Sequence, residues 1–385
     1  MQNFEFYGPT RVVFGKDTIK ELSRLIPRDK KILMTYGGGS IKKNGVYDQV
    51  KKALEGYDLL EFGGIEPNPK YETLSKAVEI VKREGVNFLL AVGGGSVLDG
   101  TKFIALASKY DGDDAYDAIM IRGEMPDTAV ELADVITLPA TGSEMNNGGV
   151  ISRISTSEKL AFHHPCVFPK FSIIDPSVTF TLPEKQTING IVDTFVHTME
   201  FNCTYDVNSP LQDIWAMGIL RTLIAEAPKV LANPQDYEAR ANLFWCATCG
   251  LNYWISCGVP QDWSTHMIGH ELTAFYGIDH GQSLAIVEPR LLRNQKVAKC
   301  QKLAKIAREV FKINEPVDLK AADMAIDKIE EFYNSIGMKT KLSDYGIDAN
   351  EAAEKIRARF KERNVALGEK GAITADVAYE IVKAC

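Results

Sequence analysis

Short apolar blocks alternate with amphipathic segments in the first half of the chain. Three of these blocks, residues 31–36, 87–92 and 135–139, have the length of buried strands. Strands that alternate with helices form parallel sheets covered on both faces, so the pattern predicts a doubly wound α/β domain. The other elements expected in this half are two short strands or a hairpin within 4–14, helices near 17–25, 44–55 and 71–84, and strands near 58–62 and within 150–174.

The pattern changes near residue 179, where long segments with apolar residues three and four positions apart begin. That spacing is typical of amphipathic helices. Pro176 and Pro183 punctuate the chain at the change. We therefore expect two domains, an α/β domain over residues 1–180 and an all-helical domain over residues 181–385. The helical segments expected are 187–201, 209–231, 236–257, 262–275, 295–312, 319–336 and 350–364.

Composition narrows the class of protein. The chain has 385 residues, of which 45% are apolar and 25% charged, with a net charge of −7 at pH 7. This length favours two domains, and the absence of a basic stripe argues against a nucleic-acid partner. No apolar run of membrane-spanning length and no signal peptide is apparent. Seven scattered cysteines, an odd number, fit a reducing cytoplasm, so we expect a cytoplasmic protein without membrane or nucleic-acid partners.

Histidine placement predicts a metal centre. Asp193 and His197 are four positions apart, as are His266 and His270, so each pair lies on one face of a helix. A single pair is more simply explained as a hydrogen-bonded surface contact. Two pairs together with His280, flanked by apolar residues, favour a divalent iron or zinc ion over magnesium or calcium. Spacing alone leaves open which of these histidines are ligands.

Three predicted strands run into loops of glycine and small hydroxyl residues. Residues 37–40 and 93–96 both read Gly-Gly-Gly-Ser, and Thr137 with residues 141–143 forms the third loop. Glycine lets the backbone approach a ligand, and free amides at a helix N-terminus attract phosphate. One such loop is equally well explained as a tight turn, but three favour a dinucleotide groove. Neither glycine loop has the spacing of the standard Rossmann fingerprint.

The first glycine loop predicts a preference for NADP(H) over NAD(H). NAD-selective sites commonly place a carboxylate near the adenosine ribose, where it would repel a 2′-phosphate. No acidic residue lies between Tyr36 and Asp48, whereas Ser40, Lys42 and Lys43 offer a hydroxyl and two cations. The alternative is that both lysines point to solvent and the loop shows no strong preference.

Four longer motifs carry a family resemblance. They are residues 93–102 (Gly-Gly-Gly-Ser-Val-Leu-Asp-Gly-Thr-Lys), 137–144 (Thr-Leu-Pro-Ala-Thr-Gly-Ser-Glu), 192–200 (Val-Asp-Thr-Phe-Val-His-Thr-Met-Glu) and 266–272 (His-Met-Ile-Gly-His-Glu-Leu). With these motifs the chain resembles the iron-dependent (group III) alcohol dehydrogenases, in particular the branch of NADPH-dependent butanol dehydrogenases and aldehyde reductases. The resemblance covers nearly the whole chain. It implies a Rossmann-like NADP-binding domain and a helical metal-binding domain of the dehydroquinate synthase-like fold.

The resemblance also implies roles for individual residues. The four metal ligands fall on Asp193, His197, His266 and His280, and His270 lies in the active site without being a ligand. We take His270 as a candidate proton relay and Asp262, close to it in sequence, as a residue that tunes it. An ordinary surface ion pair is the alternative for two residues of the dinucleotide set, Asp99 and Lys159. Together with two residues of the first glycine loop, the expected dinucleotide-binding residues are Gly38, Ser40, Asn68, Gly94, Gly95, Ser96, Asp99, Thr137, Thr141, Asn146 and Lys159.

The function implied is the interconversion of short- to medium-chain primary alcohols and aldehydes. It requires NADP(H) and one divalent ion per chain, Fe²⁺ or Zn²⁺, because a bound metal ion makes an alkoxide accessible and the nicotinamide carries the hydride. Homodimers with paired N-terminal strands occur in this family, and residues 4–14 suit such pairing. A glycerol dehydrogenase or another enzyme of the dehydroquinate synthase fold is one alternative. A catalytically silent nucleotide-binding protein is the other, which the complete Asp/His set disfavours.

Overall fold

The computed structural model describes residues 1–385 and divides into two compact units. The α/β unit comprises Tyr7–Pro183 and Pro234–Thr248, and the helical unit comprises Met1–Phe6, Glu184–Asn233 and Cys249–Cys385. The predicted division after residue 180 falls close to one of the points where the chain passes between units. The structure differs from that single division because both a short N-terminal segment and most of one helix pack with the other half of the sequence.

A six-stranded parallel sheet forms the centre of the α/β unit, in the order β1-β8-β5-β4-β2-β3. In β4, alternate residues pack into two separate cores: Leu89 and Ala91 into one, Leu90 and Val92 into the other. Side chains of a strand point alternately to opposite faces, so both faces of this sheet are covered, as predicted. The strands are β1 (Arg11–Phe14), β2 (Lys31–Tyr36), β3 (Asp58–Phe62), β4 (Phe88–Gly93), β5 (Glu131–Ile136), β6 (Gly148–Arg153), β7 (Glu158–His163) and β8 (Phe171–Ile174).

Two strand predictions need correction. Residues 4–14 do not form a hairpin, because only β1 is a strand and it pairs in parallel with β8, far away in sequence. Residue alternation indicates a strand but does not specify its partner. β5 begins earlier than the predicted 135–139, because its polar residue Asp134 is buried and accepts a hydrogen bond from Ser172 (2.6 Å). A polar residue inside a buried strand hides that strand from an apolar pattern.

Five α-helices lie between the strands of this sheet in the first half of the chain. Those of the first half are α1 (Leu22–Leu25), α2 (Ser40–Lys43), α3 (Val46–Ala53), α4 (Tyr71–Glu84) and α5 (Gly95–Ala107). The predicted helix at 44–55 is therefore two short helices, separated by Gly45 with a φ of 81°. The predicted helix at 71–84 agrees with α4.

The helical unit contains eight α-helices and one short pair of strands. The helices from residue 184 onward are α6 (Glu184–Asn202), α7 (Pro210–Ala232), α8 (Tyr237–Gly250, mostly in the α/β unit), α9 (Ser264–Tyr276), α10 (His280–Asn294), α11 (Cys300–Glu309), α12 (Asp318–Ser335), α13 (Ala349–Glu362) and α14 (Ala375–Lys383). The all-helical prediction is corrected by an antiparallel pair, β9 (Ala366–Leu367) with β10 (Ile373–Thr374). None of the helices combines the length and apolar character that a membrane span requires.

Two helices, α10 and α14, were not among the predicted segments. Pro289 lies inside α10, and proline disfavours a helix interior. The start of α10 is nevertheless well defined, because Asp279 and Gln282 form a capping box around its first turn. This cap fixes the position of His280, the first residue of the helix.

Candidate metal centre and nucleotide loops

Three helices of the helical unit carry the predicted metal ligands. Asp193 and His197 lie on one face of α6, His266 lies near the start of α9, and His280 begins α10. α10 can begin against α6 because residue 281 is glycine. A Cβ atom at Gly281 would lie 2.7 Å from the carbonyl oxygen of Asn189 on α6.

One carboxylate oxygen lies at the centre of three imidazoles. Asp193 Oδ1 is 3.6 Å from His197 Nδ1, 3.5 Å from His266 Nε2 and 3.6 Å from His280 Nε2. These distances exceed those of a hydrogen bond. They match the separation of about 3.4 Å between two ligands of one tetrahedral ion, given metal–nitrogen bonds of about 2.1 Å.

The ligand atoms of the four predicted metal ligands are not equally close to one another. The ligand atoms of Asp193, His266 and His280 all lie within 4.8 Å of one another, and His197 is outside this set of three. The His197 ring stacks on the His266 ring, with centroids 4.4 Å apart. Three of the predicted ligands are thus brought together, with the fourth adjacent to the carboxylate.

The donor atoms fit a divalent cation. His197 Nδ1 and His266 Nε2 are buried and make no hydrogen bond, whereas buried polar atoms are nearly always satisfied. A cation bound between the imidazoles and the Asp193 carboxylate would satisfy both nitrogens. Burial lowers the pKa of His197 to about 4, an effect that the Asp193 carboxylate opposes and the neighbouring His266 reinforces. The nitrogen and oxygen donor set suits a first-row divalent metal.

A carboxylate that the sequence analysis did not assign lies behind His266. Glu200, in the last turn of α6, pairs through Oε2 with His266 Nδ1, and its Oε1 accepts the backbone N–H of Thr265. Burial alone would lower the pKa of His266, but Glu200 and Asp193 outweigh it and raise that pKa to about 9. The sequence did mark Glu200 as the last residue of the 192–200 motif. Its distance from His266 in sequence, however, did not predict that the two side chains are in contact.

His270 lies beside the cluster. Its ring centroid is 5.3 Å from that of His280 and 6.3 Å from that of His266, and the side chain is buried. It is not part of the converging set of donor atoms. This position is compatible with a role other than ligation.

In the structure Asp262 contacts groups other than His270, and its expected effect on that histidine stays a prediction. Asp262 Oδ1 accepts hydrogen bonds from the backbone N–H and hydroxyl of Ser264, at the start of α9, and Oδ2 pairs with Lys299 Nζ (2.5 Å). Both oxygens are therefore engaged, and Ser264 lies about 9 Å along the helix axis from His270, since the two are six positions apart at about 1.5 Å per residue. Proximity in sequence did not translate into contact, and Asp262 stabilises the beginning of the helix.

Two of the three predicted loops, and the segment around Asn68, meet at the start of α5. Ser96 Oγ accepts the backbone N–H of Asn68 (3.3 Å), and the N–H of Thr137 donates to the carbonyl of Gly93 (2.9 Å). A Cβ atom at Gly95 would lie 2.5 Å from Thr141 Oγ1, so glycine is required for this approach. Gly94 occupies the N-cap of α5, whose free amides are the kind that attract phosphate.

The first glycine loop is open at the positions expected to face a ribose phosphate. Gly38 and Ser40 are exposed, and a Cβ atom at Gly38 would meet nothing within 4 Å. Lys42 Nζ lies 5.0 Å and 4.9 Å from the ring centroids of Tyr36 and Tyr47. Lys42 is thus exposed to solvent and lies beside two aromatic rings.

Asp99 and Lys159 are not a surface ion pair. They are only 9% and 8% exposed, so the simpler alternative for them is wrong. Asp99 accepts hydrogen bonds from the Ser143 hydroxyl (2.7 Å) and from the N–H of Val150 (3.0 Å). Burial raises the pKa of Asp99, an effect that the positive charges of Lys102 and Lys159 oppose.

Asn146 is held in a network around Lys102, a second residue to which no role was assigned. The Asn146 Nδ2 donates to the carbonyl of Gly142 (3.0 Å). The Asn146 Oδ1 accepts from the N–H of Gly148 and from Lys102 Nζ (both 3.0 Å). Lys102 also donates to the carbonyls of Ser143, Asn146 and Gly148 (2.7, 2.9 and 2.9 Å). A buried ammonium thus shapes the loop that follows β5, and burial lowers its pKa to about 8.

Comparison with known proteins identifies the family. Residues 9–176 match the model for "Iron-containing alcohol dehydrogenase", and residues 187–384 match that for "Fe-containing alcohol dehydrogenase family, C-terminal". The chain therefore belongs to the iron-containing alcohol dehydrogenase family. This confirms the predicted family, the class of enzyme and the pairing of an α/β half with a mainly helical half.

Several relatives are similar over most or all of their length. The NADPH-dependent aldehyde reductase YqhD of Escherichia coli is 50% identical over 385 residues, the full length of both chains. A crystal structure of that protein superimposes with a TM-score of 0.97 at 49% identity, covering 100% of this chain and 99% of the other. NADP-dependent alcohol dehydrogenase 3 of Entamoeba histolytica is 44% identical over 94% of both chains. Probable NADH-dependent butanol dehydrogenase 1 of Bacillus subtilis is 42% identical over 90% of this chain and 91% of its own.

Proposed function

We propose that this protein is a metal- and NADP(H)-dependent enzyme that interconverts short- to medium-chain primary alcohols and aldehydes. The observation that carries the proposal is the convergence of Asp193 Oδ1 with the imidazoles of His197, His266 and His280 in a chain of this family. Families with this fold host other chemistries, so the argument depends on the site rather than the fold.

The chemistry is divided between bound groups and side chains. A divalent ion held by these four residues would supply a Lewis acid for the substrate oxygen, and the nicotinamide would carry the hydride. The protein's part is to hold four donor atoms in place and to move a proton to or from that oxygen. We assign the proton transfer to His270, because its buried imidazole adjoins His280 without belonging to the converging donor set.

The cofactor assignment has two supports. The loop at Gly38 and Ser40 offers open space and no carboxylate, which favours a 2′-phosphate. Two of the relatives described above are named for NADPH or NADP, although the Bacillus subtilis relative is named for NADH. The proposed dinucleotide site extends from this loop over the start of α5 to Thr137 and Thr141, with Asp99, Asn146 and Lys159 shaping the adjoining loop.

An exposed apolar surface suits a homodimer. Leu211, Ile214 and Trp215 lie on the first turns of α7 at helical spacing and are 50%, 57% and 42% exposed. In the same unit, Phe6 packs against Trp254, with ring centroids 6.4 Å apart, and both rings remain about 40% exposed. Large exposed apolar patches mark interaction surfaces, so we propose that a second copy covers this one. We also propose a cytoplasmic location, which the seven free cysteines fit.

A single set of assays tests the proposed function. Purified, anaerobically handled protein would be incubated with NADPH and a panel of straight-chain aldehydes, and the loss of NADPH absorbance would be followed alongside elemental analysis. We expect turnover of butanal and about one divalent ion per chain. Binding of NADPH without turnover of any aldehyde or alcohol would instead indicate a silent nucleotide-binding protein, and turnover of glycerol alone would indicate the glycerol dehydrogenase alternative.

A further inference from the structure

Glu200 is a buried carboxylate with two hydrogen-bond donors and no lysine or arginine partner among its hydrogen bonds. It is 5% exposed, its Oε1 receives the backbone N–H of Thr265, and its Oε2 faces His266 Nδ1. The opposite ring nitrogen, His266 Nε2, faces Asp193 Oδ1 at 3.5 Å. One imidazole therefore links this carboxylate to the centre of the donor cluster.

We propose that Glu200 is a positioning residue that fixes His266 as a metal ligand. By accepting a hydrogen bond from Nδ1, it keeps a proton on that nitrogen, so that the proton a metal ion would displace is the one on Nε2. This role rests on the metal site proposed above. Carboxylates that hold ligating histidines in this way orient the ring and increase its basicity, and their loss typically lowers metal affinity by about 10–100-fold.

Glutamine cannot reproduce both hydrogen bonds of Glu200, because it has one acceptor end and one donor end. If its oxygen faces His266 Nδ1, its amide group meets the N–H of Thr265, and two donors oppose each other. If its amide group faces His266, Nδ1 must become the acceptor, and the ring proton moves to Nε2. That second arrangement removes the lone pair that the metal needs.

A second buried glutamate nearby provides a matched control. Glu288 on α10 accepts a hydrogen bond from the Tyr333 hydroxyl and forms no hydrogen bond or ion pair with a ligand, although the charges of Glu200 and His266 act on it. Burial, reinforced by the charge of Glu200, raises the pKa of Glu288 to about 8 despite the Tyr333 hydrogen bond. Glu288 is accordingly neutral near neutral pH, and glutamine is an isosteric replacement for its protonated form.

The test compares Glu200→Gln with Glu288→Gln in the full-length protein. The dissociation constant for Zn²⁺ would be measured by competition with a chromophoric chelator, after circular dichroism has shown that each metal-free variant is folded. We expect Glu200→Gln to bind Zn²⁺ about 10–100-fold more weakly than wild type, and Glu288→Gln to stay within about threefold. At saturating Co²⁺, Glu200→Gln should also change the visible spectrum, which reports the ligand geometry, while Glu288→Gln should not.

The outcomes separate the two proposals. Wild-type protein that binds no divalent ion would contradict the metal site itself. Tight binding by wild type and equally tight binding by folded Glu200→Gln, with an unchanged Co²⁺ spectrum, would overturn only the role of Glu200. Should Glu200→Gln fail to fold, nitrogen NMR of the histidine-labelled zinc protein decides: a proton on Nδ1 of His266 supports the role, and a proton on Nε2 refutes it.

Discussion

Gly281→Ala is a small perturbation that should disturb the metal centre through the backbone. The added Cβ would lie 2.7 Å from the carbonyl oxygen of Asn189 and 2.8 Å from its Cα, where ordinary contacts lie at 3.4–4 Å. These atoms are backbone within α6, so no side chain can rotate away. The start of α10 must therefore retreat by up to about 1 Å, and His280 retreats with it, whereas a metal–ligand bond tolerates only about 0.2 Å.

The expected magnitude follows from two opposing effects. Overpacking a tight contact costs about 1–3 kcal/mol, and replacing glycine by alanine in a helix returns at most about 1 kcal/mol. The metal-free protein should therefore lose up to about 2 kcal/mol of unfolding free energy. The displacement of His280 should weaken metal binding by at least about tenfold, the lower end of what smaller losses around a metal produce.

Gly218→Ala is the matched control for this prediction. Gly218 lies within α7 of the same unit and outside the metal site, on the helix face of the proposed dimer surface, and a Cβ atom there would meet nothing of its own chain within 4 Å. This variant should keep its metal affinity and gain up to about 1 kcal/mol in chemical denaturation. The reasoning is refuted if Gly281→Ala matches wild type in both unfolding midpoint and metal affinity, or if the two variants shift in the same direction.

Four further substitutions probe other parts of the account. His270→Ala should retain the metal but lose about 10²–10⁴-fold in turnover if His270 relays protons, and loss of the metal instead would make it a ligand. Gly38→Asp should reverse or reduce the preference for NADPH in kcat/KM, and a wild type that prefers NADH would contradict that cofactor assignment. Lys299→Met leaves Asp262 without its buried partner and should cost about 3–5 kcal/mol in denaturation, so an unchanged midpoint would count against this pairing. The pKa of Glu288 rises from 4.5 in the unfolded chain to about 8 on folding. The stability that its protonated form contributes is therefore complete below pH 4.5 and declines as the pH rises towards 8. Glu288→Gln should flatten that decline in unfolding midpoints measured over a series of pH values.

Local patterns predicted much of the fold because burial imposes them directly. The period of apolar residues predicted α4 at the observed bounds and α6 within three residues at its start. It missed α10, where a proline interrupts the helical pattern, and it placed β5 too late because Asp134 is a buried polar residue. The domain division was only partly predictable, since no periodicity records that residues 234–248 pack with the first half of the chain.

Site residues that lie on the same helix could be predicted from the sequence. Site residues that meet from different helices were harder to predict. Spacing indicated Asp193 with His197 on one helix, and the resemblance supplied His280 from another. Neither argument indicated Glu200 behind His266, because 66 residues separate them in sequence. Conversely, Asp262 is close to His270 in sequence, but its oxygens contact Ser264 and Lys299, and its effect on His270 stays a prediction.

Removal and return of the metal test whether the Asp193, His197, His266 and His280 cluster holds the ion that turnover requires. The protein would be stripped with a chelator and then titrated anaerobically with Fe²⁺ or Zn²⁺, while NADPH-dependent reduction of butanal is measured at each addition. The account predicts that turnover disappears on stripping and returns in full at about one ion per chain in wild type, whereas His266→Ala and His280→Ala neither hold the ion nor regain activity, because an incomplete set of ligands binds weakly. Full turnover by the stripped enzyme, or full metal occupancy in both histidine variants, would contradict it.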